Sequence, residues 1–327
     1  MNDLTDFTRA TLLLTCQLRL SHSLSDTRVL TYKQYSEVID FISKKGESLD
    51  CLVGANSEPL LKELENHFND LPFRNLLVRG FQLAQALDLW ASIGLWVIAT
   101  QNSGYPSKLL AKVGQKSPPF LVGAGSLSNL NQKSLGVVGS RSADKQSLEL
   151  AHSLGRFAAE ISAPIISGGA RGVDQTAMQG ALESGGVAVG IVADSLAKLV
   201  VQDDARDWIN NDQLTFISVQ DPYASFSIGG AMQRNKYIYA LSDAAVVVES
   251  DFEKGGTWAG AIEQIKTLHY TNVFVPSQVV SKGVSELRKA GARDFEAHSG
   301  DDLRRLFEAE TNALKPTEVK SEQLTIF

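Results

Sequence analysis

The sequence predicts an α/β protein: a Rossmann-like parallel sheet with helices on both faces, preceded by a small helical domain. Two observations support this prediction. Helical periodicity dominates the first part of the chain, and from Leu135 onward short β-branched runs alternate with helical stretches. Such alternation is typical of parallel sheets, because the crossover between two parallel strands is usually a helix. We therefore divide the chain into a helical domain at 1–88, a sheet domain at 89–302 and a flexible tail at 303–327.

The helical domain is predicted from apolar residues at three- and four-residue spacing, at 35–42 and again at 60–68. Gly46 and Pro72 interrupt these patterns, as glycine and proline commonly do at helix ends. The apolar window at 83–99 contains polar and charged residues, which are costly at membrane depth. It therefore predicts a buried helix followed by a strand rather than a membrane span.

Six strands are predicted in the sheet domain from short runs rich in Val and Ile. They lie at 135–138, 164–166, 187–192, 215–219, 244–248 and 272–275. Ligands of such sheets bind beyond the carboxyl ends of the strands. The loops that follow these runs are therefore the candidate site.

Composition narrows the possible functions. The formal net charge of −6 argues against bulk attraction to nucleic acid, so any DNA site must be a local basic cluster. The acidic start and the short first apolar run do not form a secretory signal, and we expect a cytoplasmic protein. The two cysteines lack metal-ligand spacing and the five histidines are scattered, so no metal site is predicted.

Three glycine-rich turns stand at strand or helix junctions. The turn at 139–141 combines close backbone approach with a guanidinium suited to phosphate, although a tight turn with a solvated arginine explains this loop equally well by itself. The loop at 167–174 places three glycines and Arg171 before a helix predicted to start near Val173, where backbone amides and the helix dipole favour an anion. The turn at 255–257 opens another helix in the same way.

These turns are expected to surround one shared crevice, with Arg171 contacting phosphate and Asp174 capping the first helical turn. No dinucleotide or P-loop spacing, nucleophile elbow or paired carboxylates occur, so we predict no catalytic residue, no cofactor and no enzyme activity. The predicted DNA- or phosphate-binding residues are Gly139, Ser140, Arg141, Ser167, Gly168, Gly169, Arg171, Gly172, Arg234, Asn235, Lys236, Gly255, Gly256 and Thr257.

The ordered motifs resemble the DprA/Smf family, which carries a GSR turn, an SGxAxGxD loop, an RN pair and a late glycine-rich turn. This chain has them at 139–141, 167–174, 234–235 and 255–257, and the resemblance extends over about 90–295. It implies a homodimer that binds single-stranded DNA without strong sequence preference and loads a RecA-type recombinase in recombination or transformation. Arg141 and Arg171 would hold backbone phosphates, and the amides of glycines 139, 168, 169 and 256 would line the pocket.

The chain departs from the family pattern at 193–197, which lacks the usual glycine and Tyr-Pro pair, and at 256–260, where the usual run has more hydroxyl groups. Both changes would reshape the pocket, so a divergent branch with another ligand or a role in defence stays open. A second hypothesis is a nucleotide-binding sensor or nucleotide-processing enzyme of the lysine-decarboxylase-like fold, which the glycine turn at 255–257 partly matches. A third makes the chain a scaffold with a functional tail.

The C-terminal pentapeptide resembles the peptide by which bacterial proteins dock on the replication sliding clamp. Its polar leader and apolar anchors suit insertion into a groove. A tail that packs on its own domain is an equally good explanation. The predicted clamp-contacting residues are Gln323, Leu324, Ile326 and Phe327.

Overall fold

Nine strands form a single sheet in the computed structural model of the chain, which describes residues 4–20 and 27–313. The strands are β1 Trp96–Ala99, β2 Phe120–Ala124, β3 Leu135–Val138, β4 Ile165–Ser167, β5 Ala188–Ile191, β6 Leu214–Ser218, β7 Ala244–Val247, β8 Val273–Pro276 and β9 Arg293–Phe295. Their spatial order is β1-β2-β6-β5-β4-β3-β7-β8-β9.

The sheet is parallel from β6 to β9 and antiparallel where β1 and β2 extend it. This confirms the predicted fold class, and the six predicted strands agree with the observed ones to within one or two residues. β2 and β9 were not among the predicted strands. The order reverses beside β3, so the loops after β3, β4 and β7 converge at a switch point of the doubly wound sheet.

Fourteen α-helices occur among the described residues, and a π-helix at Gln264–Leu268 continues the twelfth. The helices are α1 Asp6–Thr15, α2 Tyr32–Lys44, α3 Glu58–His67, α4 Phe73–Leu77, α5 Gly80–Ser92, α6 Ser107–Val113, α7 Lys145–Glu160, α8 Val173–Glu183, α9 Leu196–Leu199, α10 Asp203–Asn210, α11 Ile228–Leu241, α12 Gly255–Glu263, α13 Lys282–Ala290 and α14 Gly300–Ala313. None of these is long and apolar enough to cross a membrane.

Each face of the sheet is covered by helices, because alternate strand residues point to opposite faces. In β3, Leu135 and Val137 belong to one core cluster and Val138 to the other. The first cluster takes side chains from α1, α5, α7, α8 and α14, and the second from α6, α11, α12 and α13. The sequence pattern of short buried strands thus gives a two-sided core.

The N-terminal helical region has its own core and also joins the sheet. Leu12 and Leu13 of α1 lie in the cluster that contains Leu135, so the predicted helical domain is not separated from the sheet by a solvated linker. Two hydrogen bonds reach the loop after β6: Tyr32 donates its hydroxyl to the Val219 carbonyl, and the Arg19 amide donates to the Asp221 carboxylate at 2.8 Å.

The folded part of the chain extends further toward the C-terminus than predicted. The boundary expected at 302/303 falls inside α14, where Leu303 and Phe307 are buried against the core, so the prediction of a flexible tail is wrong for 303–313. The apolar spacing of these two side chains on one helical face is the physical reason. The clamp-like pentapeptide at 323–327 lies outside the described residues.

Candidate phosphate-binding cleft

Two adjoining cavities lie beyond the carboxyl ends of the parallel strands, with volumes of about 560 and 600 Å³. We call them together the cleft. They have five lining residues in common, so they form one continuous depression. The shared residues are Arg141, Ser142, Ala170, Phe226 and Arg234.

The turn after β3 forms one wall of the cleft. At Gly139 a Cβ would stand 2.5 Å from a methyl carbon of Val173, so only glycine allows α8 to begin this close to the turn. The Ser140 amide donates to the Glu249 carbonyl at 2.9 Å, which fixes the turn against the end of β7. Arg141 is exposed, and its guanidinium carbon lies 5.9 Å from the ring centroid of Phe226.

The loop after β4 has a different internal arrangement from the one expected. Gly172, with a φ of 91°, occupies the N-cap position of α8, and Asp174 is buried within the first turn. The Asp174 carboxylate accepts the Gly168 amide at 3.2 Å. The prediction that Asp174 caps the helix is therefore wrong, because its carboxylate points back to the loop. For the same reason the amides of Gly139 and Gly168 are directed to Asp174 and not to a ligand, so the prediction that they line the pocket is wrong.

Arg234 of α11 is a buried partner of this loop. One of its terminal nitrogens donates to the carbonyl oxygens of Gly168 and Ile191, the latter at 2.7 Å. Burial lowers the pKa of Arg234, and burial also raises the pKa of Asp174 to about 6, although each charge favours the ionised form of the other. Both pKa shifts favour the uncharged form of the side chain, because desolvation outweighs the mutual attraction of the two charges. Arg234 thus fixes the floor of the cleft, and its contact with phosphate stays a prediction.

The start of α12 forms the opposite wall. Lys254 at the N-cap makes no side-chain cap, so the first amides of α12, from Gly255 onward, are left for solvent or a ligand. Thr257 donates its hydroxyl to the Gly139 carbonyl at 2.9 Å, and Asn235 donates its amide to the Gly256 carbonyl at 3.1 Å. These bonds hold α11, α12 and the turn after β3 together.

Eleven of the fourteen predicted residues line the cleft or are hydrogen-bonded directly at it, and three are not at its surface. Ser167 is fully buried and donates to the Val137 carbonyl at 2.6 Å. Lys236 forms an ion pair with Glu263 at 2.8 Å. Gly172 packs under the turn, where a Cβ would lie 2.6 Å from the Ser140 carbonyl oxygen. None of these three residues lines the cleft, and their contact with a ligand stays a prediction.

The structure adds two residues that sequence reasoning missed. Lys254 is exposed and lines the cleft beside Gly255. Its position directly before the glycine pair at 255–256 could have indicated from the sequence that Lys254 lies at the cleft. Phe226 is 53% exposed and lines both cavities. A hydrophobic residue before an N-cap usually packs against the fourth helical residue, but here that residue is the small Ala231, so the ring stays exposed and no sequence pattern indicated this.

The exposed charges of the cleft are mixed, with cations in the majority. Arg171 lines one cavity, Lys254 the other and Arg141 both, and none of them forms an ion pair with a carboxylate in the part of the chain that the structure describes. Three acidic residues also line the cleft: Asp194, Asp251 and the buried Asp174. No group of three metal-ligating side chains occurs within 4–20 and 27–313.

The fold defines a doubly wound α/β protein whose cleft, the candidate binding site, lies beyond the carboxyl ends of the strands. The sequence model of the family named DNA recombination-mediator protein A matches residues 96–305. The chain belongs to this family, which confirms the resemblance seen in its motifs.

Two solved structures of DNA processing protein A share the fold. The protein from Streptococcus pneumoniae is 19% identical, with a TM-score of 0.55 over 85% of this chain and 98% of that chain. The protein from Helicobacter pylori, described for its single-stranded DNA binding mode, is 22% identical, with a TM-score of 0.53 over 66% of this chain and 96% of that chain. None of the curated proteins matches the chain.

Proposed function

We propose that the chain binds single-stranded DNA in the cleft, through backbone phosphates and without strong sequence preference. The observation that supports this most directly is the pair of exposed arginines, Arg141 and Arg171, which line one depression and have no carboxylate partner among the described residues. Guanidinium groups match phosphate oxygens in geometry and charge. Phosphate contacts fix the position of a strand but do not read its sequence.

The free amides at the start of α12 support the same proposal. Gly255 and Gly256 are exposed, and a Cβ at Gly255 would meet nothing within 4 Å, so a phosphate has access to the helix N-terminus. The helix dipole and unpaired amides there favour an anion. Lys254 adds a positive charge at the same end. A net charge of −6 on the whole chain then confines DNA binding to this local cluster.

The proposal includes further steps that rest on the family resemblance. We infer a cytoplasmic homodimer that loads a RecA-type recombinase onto the bound strand and has no catalytic step of its own. We also infer that the tail docks on the sliding clamp through Gln323, Leu324, Ile326 and Phe327. A fluorescent peptide of the last five residues, titrated with the clamp, tests this last inference, and absence of binding would exclude it.

The central experiment is an anisotropy titration of labelled oligo-dT with the protein, beside a panel of mononucleotides. We expect oligo-dT to bind far more tightly than any mononucleotide, and the affinity to fall as salt rises, because bound phosphates release counterions. Replacing Arg171 by Glu substitutes repulsion for attraction, and we expect at least a tenfold loss of affinity. Arg141→Glu is expected to act in the same way.

The matched control is Arg304→Glu, which makes the same charge change at the other end of the strands, away from the cleft. Arg304 lies in the first turns of α14, close to Gly300, whose amide bonds Glu160 at the end of α7. Its ion pair with Asp301 is exposed and contributes little to stability. Equal losses in Arg171→Glu and Arg304→Glu would show a general charge effect and contradict a site in the cleft. Release of free base or ribose phosphate from the mononucleotides would favour an enzyme instead.

A further inference from the structure

An exposed aromatic ring stands beside the arginines of the cleft. Phe226 is 53% exposed, and the next residue but one, Ile228, is 77% exposed. Both line the cavity of about 560 Å³, which Arg141 also lines. A phenyl ring at this level of exposure contributes little to the folded core, and with Ile228 it forms an apolar surface inside a cavity, beside a cationic group.

The backbone that bears Phe226 is fixed on both sides of the ring. Before it, the Asp221 carboxylate accepts the Tyr223 amide at 2.9 Å, and the Ala224 carbonyl accepts the Ser195 amide at 3.1 Å. After it, the Ser227 hydroxyl accepts the Gly230 amide at 3.0 Å and caps α11. The ring therefore projects from an ordered turn, and presenting it to a ligand requires no folding of the loop.

The ring and the guanidinium are close enough to contact adjacent parts of one nucleotide. The guanidinium carbon of Arg141 lies 5.9 Å from the Phe226 centroid. A phosphate bound by Arg141 would bring its own base, or the neighbouring one, to the same side of the cleft. Every base has a flat π face, so stacking on an aromatic side chain tolerates any sequence.

We propose that Phe226 is a stacking platform for an unpaired base of the strand held by Arg141, an inference that rests on the proposed binding of single-stranded DNA. This assigns the cleft a base contact in addition to its phosphate contacts. It also gives a physical reason for preferring single strands, because the bases of a duplex are already stacked on each other and their faces are closed to the ring.

The test compares two strands that share a phosphate backbone and differ in their bases. Oligo-dT is titrated beside an abasic oligonucleotide of the same length, which carries the phosphates but has no bases to stack. For Phe226→Ala we expect the affinity for oligo-dT to fall by about 5- to 150-fold, the range for loss of one stacked base. The affinity for the abasic strand is expected to stay unchanged, and Phe226→Trp is expected to restore binding of oligo-dT.

The matched control is Phe81→Ala, which removes a ring that is 78% exposed in the helical region and does not line the cleft. It is expected to leave both affinities unchanged. An equal loss on both strands in Phe226→Ala would mean that the ring acts only by orienting Arg141, and no loss on either strand would mean that it contacts no base. Failure of the wild-type protein to bind either strand would instead overturn the proposed function itself.

Discussion

At the scale of single residues, Asp174 is the group whose behaviour depends most on the fold. The residue is 6% exposed, and burial raises the pKa of its carboxyl to about 6, against the opposing effects of Arg234 and of hydrogen bonds from the amides of Ala170, Gly139 and Gly168. The carboxyl that orders the turns below the cleft therefore titrates about one unit below neutral pH. Its protonation weakens these amide bonds, because a neutral carboxyl is a poorer acceptor.

This raised pKa predicts a specific dependence of stability on pH. Between about pH 4 and pH 6 the folded chain binds a proton at Asp174 that the unfolded chain has lost, so this residue's contribution to the unfolding free energy falls as pH rises through that window. Asn at this position cannot titrate. We expect the stability of the wild type relative to Asp174→Asn to increase by up to about 1.4 kcal/mol for each unit of pH lowered from 6 toward 4.

Urea denaturation of both proteins at pH 7.5, 6.0 and 5.0 measures this difference. Other carboxyls, such as that of Glu183, have lowered pKa values and destabilise both proteins alike in acid, so they cancel in the comparison. A difference that does not change with pH would show that Asp174 stays ionised in the folded protein over the whole range.

At the scale of secondary-structure elements, the contact between α7 and α8 positions the glycine loop of the cleft. Two glycines make this contact close: a Cβ on Gly180 would overlap the carbonyl oxygen of His152, and a Cβ on Gly155 would overlap that of Ala177. Helix backbones approach this closely only where side chains are absent. The N-terminus of α8, with the loop that precedes it, is thereby held against the turn after β3.

Replacing Gly180 by Ala should force the two helices apart. We expect the unfolding free energy to fall by about 1–3 kcal/mol, because the overlap is with rigid backbone and not with a flexible side chain. Gly80→Ala is the control: this glycine opens α5, its added Cβ would meet nothing within 4 Å, and the change should be neutral or slightly stabilising. Urea unfolding measures the free energy of unfolding of the two variants, and similar free energies for both would refute the close contact.

The elements also show what sequence reasoning can reach. β3 and β7 were predicted because their buried β-branched runs are bounded by turns, and that local pattern suffices for a parallel central strand. β2 is equally apolar, but its antiparallel position between β1 and β6 depends on long-range pairing. β9 has two exposed residues of three and shows no such pattern.

The same distinction applies to the candidate site. The turn at 139–141 and the start of α12 are local motifs, so the sequence indicated them correctly. The inward direction of Arg234 depends on which face of α11 meets the sheet. Its polar neighbours Gln233, Asn235 and Lys236 give no indication of that face, and the burial of the Arg234 side chain was therefore missed.

At the scale of the whole molecule, the helical region and the cleft are physically connected. The Tyr32 hydroxyl and the Arg19 amide both bond the segment after β6, a few residues before Phe226. Tyr32→Phe removes one of these bonds and is expected to lower the unfolding free energy by about 1 kcal/mol. Because the freed segment bears Phe226, we also expect a severalfold weaker binding of oligo-dT.

Tyr35→Phe provides the comparison for this prediction. Its hydroxyl bonds that of Thr11 at 2.9 Å within the helical region, so a similar loss of stability is expected without a change in affinity. Thermal unfolding and anisotropy titration of both variants separate the two effects. Equal affinities in Tyr32→Phe and Tyr35→Phe would show that the helical region does not influence the cleft.

The link from Tyr32 to the segment after β6 has a thermodynamic consequence. Coupling between two sites is reciprocal. If a displacement of α2 changes the affinity of the cleft for a DNA strand by some factor, binding of the strand changes the equilibrium of that displacement by the same factor. A change in the helical region that weakens strand binding is therefore itself disfavoured, by the same factor, while a strand occupies the cleft.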